Sequence, residues 1–283
     1  MRANGARDQS GEVHHCRSRQ RRTSDTQLPL PLRPSCRSRS RLSDQSLGWC
    51  GDFISAKRYD DMFIAGVRAQ GYRTGVFGKL VNSMGPMCVN SPAPYIPAGL
   101  SPSSGDAFVA MCNESAYYSI QFNRNGELYT TGASGDAHYL QAFLGNESIP
   151  WLAAAAAEAA SPGGRPFFAY LAPHSPHLPA EPAPWYADAP LPSETAPRPP
   201  SYGAGSKVNK SWAIEQNPDF DALTQAGIDT HFRNRQRTLM SVDDFVRDIF
   251  RVLDEAGVTS RTYVLASSDH GYHLGQVGDG VGG

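Results

Sequence analysis

The residues best equipped for chemistry stand in three short stretches. "SSDHGYHLGQ", residues 267–276, places Asp269 and His270 directly behind the apolar run "TYVLA". A carboxylate oxygen suits a hard cation such as Ca2+ or Mg2+, and an imidazole nitrogen completes its shell; the same residues also make an ordinary polar turn, eased by Gly271. "GVFGKLVN" puts Lys79 after Gly78, with Asn82 three residues on, an ammonium available to an anion or simply to solvent. "LAPHSPHLP" carries His174 and His177 in a proline-stiffened loop that fixes their directions, although a single histidine is more often a structural or surface group. Together, a cation, a lysine and two imidazoles suit a tetrahedral oxyanion such as sulfate or phosphate.

Such groups need elements to hold them. "MFIAGVRAQGY" has Met62, Phe63, Val67 and Ala69 at roughly helical spacing and Gly71 as a stop, followed by the short strand "RTGVFGK". Residues 83–115 are rich in Pro, Gly and Ser and read as loop. "AYYSIQF" and "NRNGELYTT" read as a hairpin turning at Asn125-Gly126. The spacing then predicts a helix over about 136–160, a strand in "RPFFAYLAP", and a proline-dense irregular segment after it. A long helix in "FRNRQRTLMSVDDFVRDIFRVLDEAGV" carries the stripe Leu239, Val242, Phe245, Val246, Ile249, Phe250 and Leu253, and "TYVLA" follows as a strand. Helix and strand in alternation predict an α/β domain with a mixed, mainly parallel central sheet between helices. All three chemical stretches then fall just past the carboxyl ends of strands, where such sheets gather their sites.

Composition sets the outer limits. The 283 residues, 40% hydrophobic, suffice for one large domain, and the formal charge of -1 hides an asymmetry. Residues 1–48 hold ten arginines and no lysine against Asp8, Glu12, Asp25 and Asp44. That Arg/Ser-rich leader, taken as residues 1–50, reads as disordered or mis-specified. Nucleic acid is not an expected partner, since no aromatic residues interleave its arginines. No stretch approaches the roughly 20 apolar residues of a membrane span, and "LPLPLRP" is too short and proline-rich for a secretory signal. Three sequons, at Asn113, Asn146 and Asn209, suit a glycoprotein. The five cysteines form no CxxC pair; Cys88 and Cys112 are spaced to bridge the loop-rich segment.

"GYRTGVFGKLVN", "FFAYLAPHSPHLPAEPAPWY", "FRNRQRTLMSVDDFV" and "SSDHGYHLGQ" resemble the sulfatase family in order and spacing, over about residues 57–276. "SAYYSIQFNRNGE" and "NKSW" most resemble its N-acetylglucosamine-6-sulfatase branch. The resemblance implies the fold of the alkaline-phosphatase superfamily and hydrolysis of a sulfate ester on a sulfated sugar, N-acetylglucosamine-6-sulfate in a glycosaminoglycan-like polysaccharide. It further implies Ca2+, a formylglycine made from a cysteine or serine, and a lysosomal or extracellular setting. Asp269 would be a calcium ligand and His270 its neighbour in the shell; Lys79 would contact the sulfate; His174 would give a proton to the leaving oxygen, with His177 a second contact.

The chain also departs from the family pattern. The nucleophile motif C-x-P-S-R is absent; the one candidate, "PSCRSRSRL" around Cys36, lacks the proline. Residues 1–35 offer only Asp25 near an apolar run, where the family has an aspartate pair, and Asp60-Asp61 lies downstream. Phe77 and Val81 stand where other residues are usual. The expectation is therefore an incomplete catalytic domain over 51–276 with a Gly-rich tail at 277–283, poorly soluble, and either an enzyme or an inactive relative that keeps oxyanion or sulfated-glycan binding.

Overall fold

The computed structural model describes residues 62–80, 96–97, 99–113, 116–203, 220–276 and 281–282, all within one compact unit, Leu42–Gly283. The expectations for the leader, Cys36, Cys88, Asp60-Asp61, Val81, Asn82 and the Asn209 sequon lie outside the described residues.

Helix α1, Phe63–Ala69, is short and buries Ile64. The chain reverses at Gly71, whose φ of 87° is one that L side chains rarely adopt, and enters β1, Arg73–Gly78, buried along almost its whole length. Strand β2, Ala107–Met111, lies beside it in parallel. Strands β3, Gln121–Arg124, and β4, Glu127–Thr130, continue the sheet as an antiparallel hairpin. The turn residues Asn125 and Gly126 both have positive φ, the geometry that Asn-Gly supplies most easily. Helix α2, Leu140–Ala160, leads to β5, Phe167–Ala172, which pairs in parallel with the other edge of β1. The five-stranded sheet therefore runs β4-β3-β2-β1-β5, mixed, with its three parallel strands contiguous.

Alternation along the strands divides the core. Val76, Phe108 and Ala110 face Ile64 of α1 with Phe168 and Tyr170. Phe77, Val109 and Met111 face Leu140, Phe143 and Leu144 of α2. Phe77 has a specific partner there, since its ring packs 5.6 Å from Trp151. Helix α3, Ala222–Glu255, packs on α2 through Leu152, Ala156, Val252 and Leu253. Asp106 fastens the entry to β2: it is buried, accepts from Thr74 N (2.9 Å) and Ser101 N (3.0 Å), and pairs with Arg68 Nε (2.5 Å).

Four local expectations need correction. Residues 107–111 are not loop but a strand, buried on both faces, so its apolar run carries no alternation to betray it. Helix α3 starts ten residues before Phe232, where the predicted helical segment begins, because Asp221 caps it by accepting from Thr224 N at 2.7 Å. Its buried face runs through Thr238, Ser241, Phe245, Val252 and Leu253, while Leu239, Val246 and Phe250 are exposed. Thr238 and Ser241 can be buried because each hydroxyl donates to a helix carbonyl, of Asn234 and Thr238 respectively, at 2.7 Å. Finally, "TYVLA", residues 262–266, is not a strand: no described residue pairs with it, and Tyr263 and Leu265 are 96% and 92% exposed. A two-residue strand β6, His273–Leu274, forms after it and pairs with β7, Val281–Gly282.

Candidate functional site

Lys79 and His174 come together because β1 and β5 run parallel and end in register, with Gly78 opposite Ala172. Gly78 has φ 100°, and a Cβ there would collide with the Ala172 carbonyl oxygen. Only glycine allows this approach, which lets Lys79 N donate to Ala172 O at 2.9 Å. Two residues beyond Ala172 the chain reaches His174.

The loop around His174 is tightly built. His177 N donates to His174 O at 3.0 Å and Ala180 N to His177 O at 2.8 Å, folding the proline-rich segment into consecutive turns. The two imidazoles lie 4.3 Å apart between centroids, and the Tyr117 ring lies 6.1 Å from His174. Tyr117 is buried, donates its hydroxyl to His177 O at 2.8 Å, and stacks on Tyr139, whose hydroxyl donates to Glu181 O at 2.9 Å. Burial raises the pKa of both phenols well above the ordinary value, so they act only as neutral donors.

His174 is 4% exposed, and among the described residues neither ring nitrogen has a hydrogen-bond partner; the Ser175 hydroxyl is likewise buried without one there. Its pKa falls from 6.5 to about 4, first through burial, then through the positive charges of His177 and Lys79. The nearby Leu178 carbonyl and the Asp269 carboxylate pull weakly the other way. His177 Nδ1 lies 2.9 Å from Leu178 O, and since a carbonyl oxygen only accepts, Nδ1 is the donor in that contact. A buried imidazole with two unpaired nitrogens beside an ammonium is an unsatisfied polar cluster of the kind that a ligand completes.

Asp269 and His270 have a different setting. The Asp269 side chain is 74% exposed and that of His270 49%. Asp269 Oδ1 accepts from its neighbour's backbone, His270 N, at 3.0 Å, and His270 Nδ1 lies 2.8 Å from Gly271 O. These are the contacts of a local polar turn. Calcium takes about six to eight oxygen ligands, and among the described residues no three His, Cys, Asp or Glu side chains converge. The described residues do not furnish a calcium site by themselves. Asp269 nonetheless lies within electrostatic reach of β5, since burial and then the Asp269 charge raise the pKa of Tyr170, and the same charge opposes the lowering at His174.

Sequence reasoning missed the residues that tie these two loops together. From α3, Arg235 Nη1 donates to Pro176 O at 2.8 Å, and its guanidinium stacks on the Tyr272 ring at 3.8 Å. One turn earlier His231 Nε2 lies 2.9 Å from the Tyr272 hydroxyl. The available signal was spacing: His231 and Arg235 are four apart on one helix face, in a segment where apolar residues should have been. Cys112, at the end of β2, is disulfide-bonded, and its partner lies outside the described residues. Of the sequons, Asn146 sits exposed within α2, and Asn113 borders residues that are not described. Among the described residues no helix is long and apolar enough to cross a membrane.

Comparison with known proteins places this geometry in a family. A putative extracellular sulfatase Sulf-1 homolog of Caenorhabditis elegans is 29% identical over 208 residues, 74% of this chain and 27% of the relative. The N-acetylglucosamine-6-sulfatase of Homo sapiens is 32% identical over 208 residues, 73% of this chain and 35% of the relative. An arylsulfatase of Volvox carteri is 29% identical over 58% of this chain. The chain thus spans about a quarter to a third of the length of the first two. The family profile described as Sulfatase matches residues 36–282, a span that holds β1, β5 and both loops, and the chain belongs to the sulfatase family.

Proposed function

We propose that the chain is the catalytic part of a sulfuric ester hydrolase acting on a sulfated sugar, with N-acetylglucosamine-6-sulfate as the substrate unit. The observation that carries this is His174, buried with both ring nitrogens unpaired, beside the charge of Lys79. Family membership and the 32% identity to an N-acetylglucosamine-6-sulfatase support the choice of ester.

In this reading Lys79 holds the sulfate oxygens, and His177 offers a second contact. Net hydrolysis passes the sulfuryl group to water: a water oxygen forms the new S–O bond as the ester S–O bond breaks, releasing sulfate and leaving negative charge on the sugar oxygen, which must collect a proton. His174 is the donor. In the free site it is neutral, because burial and the neighbouring positive charges disfavour its protonated form. An arriving sulfate offsets the charge of Lys79, raises the His174 pKa, and so arms the acid only when substrate is present. A positioned acid of this kind contributes about 10² or more in rate. Among the described residues no complete calcium ligand set converges, and the sequence carries no C-x-P-S-R motif for a formylglycine, so no step is routed through either group. An acidic lysosomal or extracellular compartment suits an acid with this pKa.

The test is sulfate release from a 6-sulfated N-acetylglucosamine glycoside by the full chain. Turnover that falls about a hundredfold in His174→Gln, in a variant that still folds, supports the assignment; turnover untouched by that change defeats it. A second reading, a sulfated-glycan binder without turnover, is favoured by the exposed Asp269–His270 turn and by the sequence around Cys36, which lacks the proline of the family motif. Binding without any sulfate release would select it.

A further inference from the structure

Arg235 is a half-buried guanidinium with no acidic partner among the described residues. Its helix neighbour Arg233 is different, reaching Glu194 at 3.6 Å. The contacts of Arg235 are instead with neutral groups: Nη1 donates to Pro176 O at 2.8 Å, and the guanidinium carbon lies 3.8 Å from the centre of the Tyr272 ring. A carbonyl and a ring orient a planar cation without neutralising it. The side chain therefore serves as a spacer of fixed direction between the two groups it touches.

Those two groups belong to different loops. Pro176 stands between His174 and His177, and Tyr272 follows Asp269 by three residues and His270 by two. Among the described residues, the side-chain hydrogen bonds of residues 267–270 stay within their own loop, so Tyr272 is the side chain by which that loop meets α3. His231, one turn earlier on α3, fixes the phenol, its Nε2 lying 2.9 Å from the hydroxyl. The helix itself is anchored on α2 through Val252 and Leu253. Lys79 is placed by other means, through the bond of its N to Ala172 O at the end of the strand pair.

We propose that Arg235 and Tyr272 are positioning residues for sulfate-ester hydrolysis: their stack clamps the His174 loop to the Asp269 loop, so that the two keep one spacing and His174 stays aimed at the ester oxygen. Releasing the clamp leaves Lys79 in place, and so impairs proton delivery more than sulfate binding. This consequence for rate rests on the reading of His174 as the proton donor; the clamp itself does not.

The experiment is hydrogen exchange of backbone amides in the full chain, followed by turnover. The reporters are His177 N–H and Ala180 N–H, whose bonds to His174 O and His177 O close the turns of the His174 loop. Tyr272→Leu changes no group in that loop, yet it should speed exchange at both amides about tenfold, as should Arg235→Leu, with no further gain in the double variant. Lys79 N–H, held by the strand pair, should keep its wild-type rate and so shows that each variant is folded. Unchanged exchange at His177 and Ala180 in Tyr272→Leu overturns the clamp, and this arm decides even if Arg235→Leu fails to fold. Additive effects in the double variant overturn it too. In sulfate release from the 6-sulfated glycoside, both single variants should lower kcat by about tenfold or more and move KM by less than about threefold. Tyr272→Phe, which keeps the ring against the guanidinium, should recover most of the rate lost in Tyr272→Leu. A raised KM with kcat intact overturns the positioning role, since it marks a direct substrate contact. A wild-type chain without turnover defeats the hydrolase reading and the rate role with it, while exchange decides the clamp on its own.

Discussion

The His174 loop and the Asp269 loop both follow apolar, strand-like runs, yet one is built and the other is bare. Behind His174 stands β5, bonded along its length to β1, and a glycine at position 78 that lets the backbones touch. Tyr117, Tyr139 and Arg235 then brace the loop itself. Behind Asp269 stands "TYVLA", extended and unpaired among the described residues, and the acid hydrogen-bonds only to its own neighbour. Placement of a chemical group thus depends on the pairing of the strand that delivers it. A motif supplies the group alone.

The largest effect is expected from removing what fixes the built side. Asp106→Ala strips the partner from Arg68 and two backbone donors, so it should cost roughly 3–5 kcal/mol in urea unfolding. A loss under about 1 kcal/mol would mean that the ends of β1 and β2 are held otherwise. Next comes His174. Its folded pKa of about 4 lies below the ordinary 6.5, so between those values the unfolded chain binds a proton that the folded chain refuses. Stability should therefore fall as pH drops through that window, by on the order of 3 kcal/mol from this group. His174→Gln should abolish that share of the slope, as read from unfolding at several pH values.

On the bare side effects should be small. Tyr263→Ser and Leu265→Ser should change stability by less than about 0.5 kcal/mol, while raising the protein concentration at which aggregation sets in, as measured by light scattering. A loss above about 2 kcal/mol would show that these side chains are packed. Asp269→Asn should be smaller still in the metal-free protein, within about 0.5 kcal/mol.

Legibility in the sequence followed the same division. β1, the hairpin turning at Asn125-Gly126, α2 and β5 could be read because glycine stops, turn chemistry and run length are local signals. β2 could not, since its five buried residues show no alternation and follow a proline-rich stretch. The start of α3 rested on one cap, Asp221, outside the apolar pattern. Within the site, Lys79, His174 and His177 were legible as strand-end groups. Arg235 was legible only as sharing a helix face with His231 four residues earlier; its contacts to Pro176 and Tyr272, 59 residues before it and 37 after, lie beyond any local signal. Asp269 and His270 were legible as a motif, but their exposure depends on pairing that the sequence of "TYVLA" cannot report.

The measurement that bears most directly on the central claim is binding of N-acetylglucosamine 6-sulfate and of the unsulfated sugar to the full chain, to Lys79→Met and to His174→Gln. The account predicts that the wild-type chain binds the sulfated sugar at least tenfold tighter than the unsulfated one, and that either substitution removes most of that preference. Equal affinity for both sugars, or a sulfate preference that survives both substitutions, would contradict it.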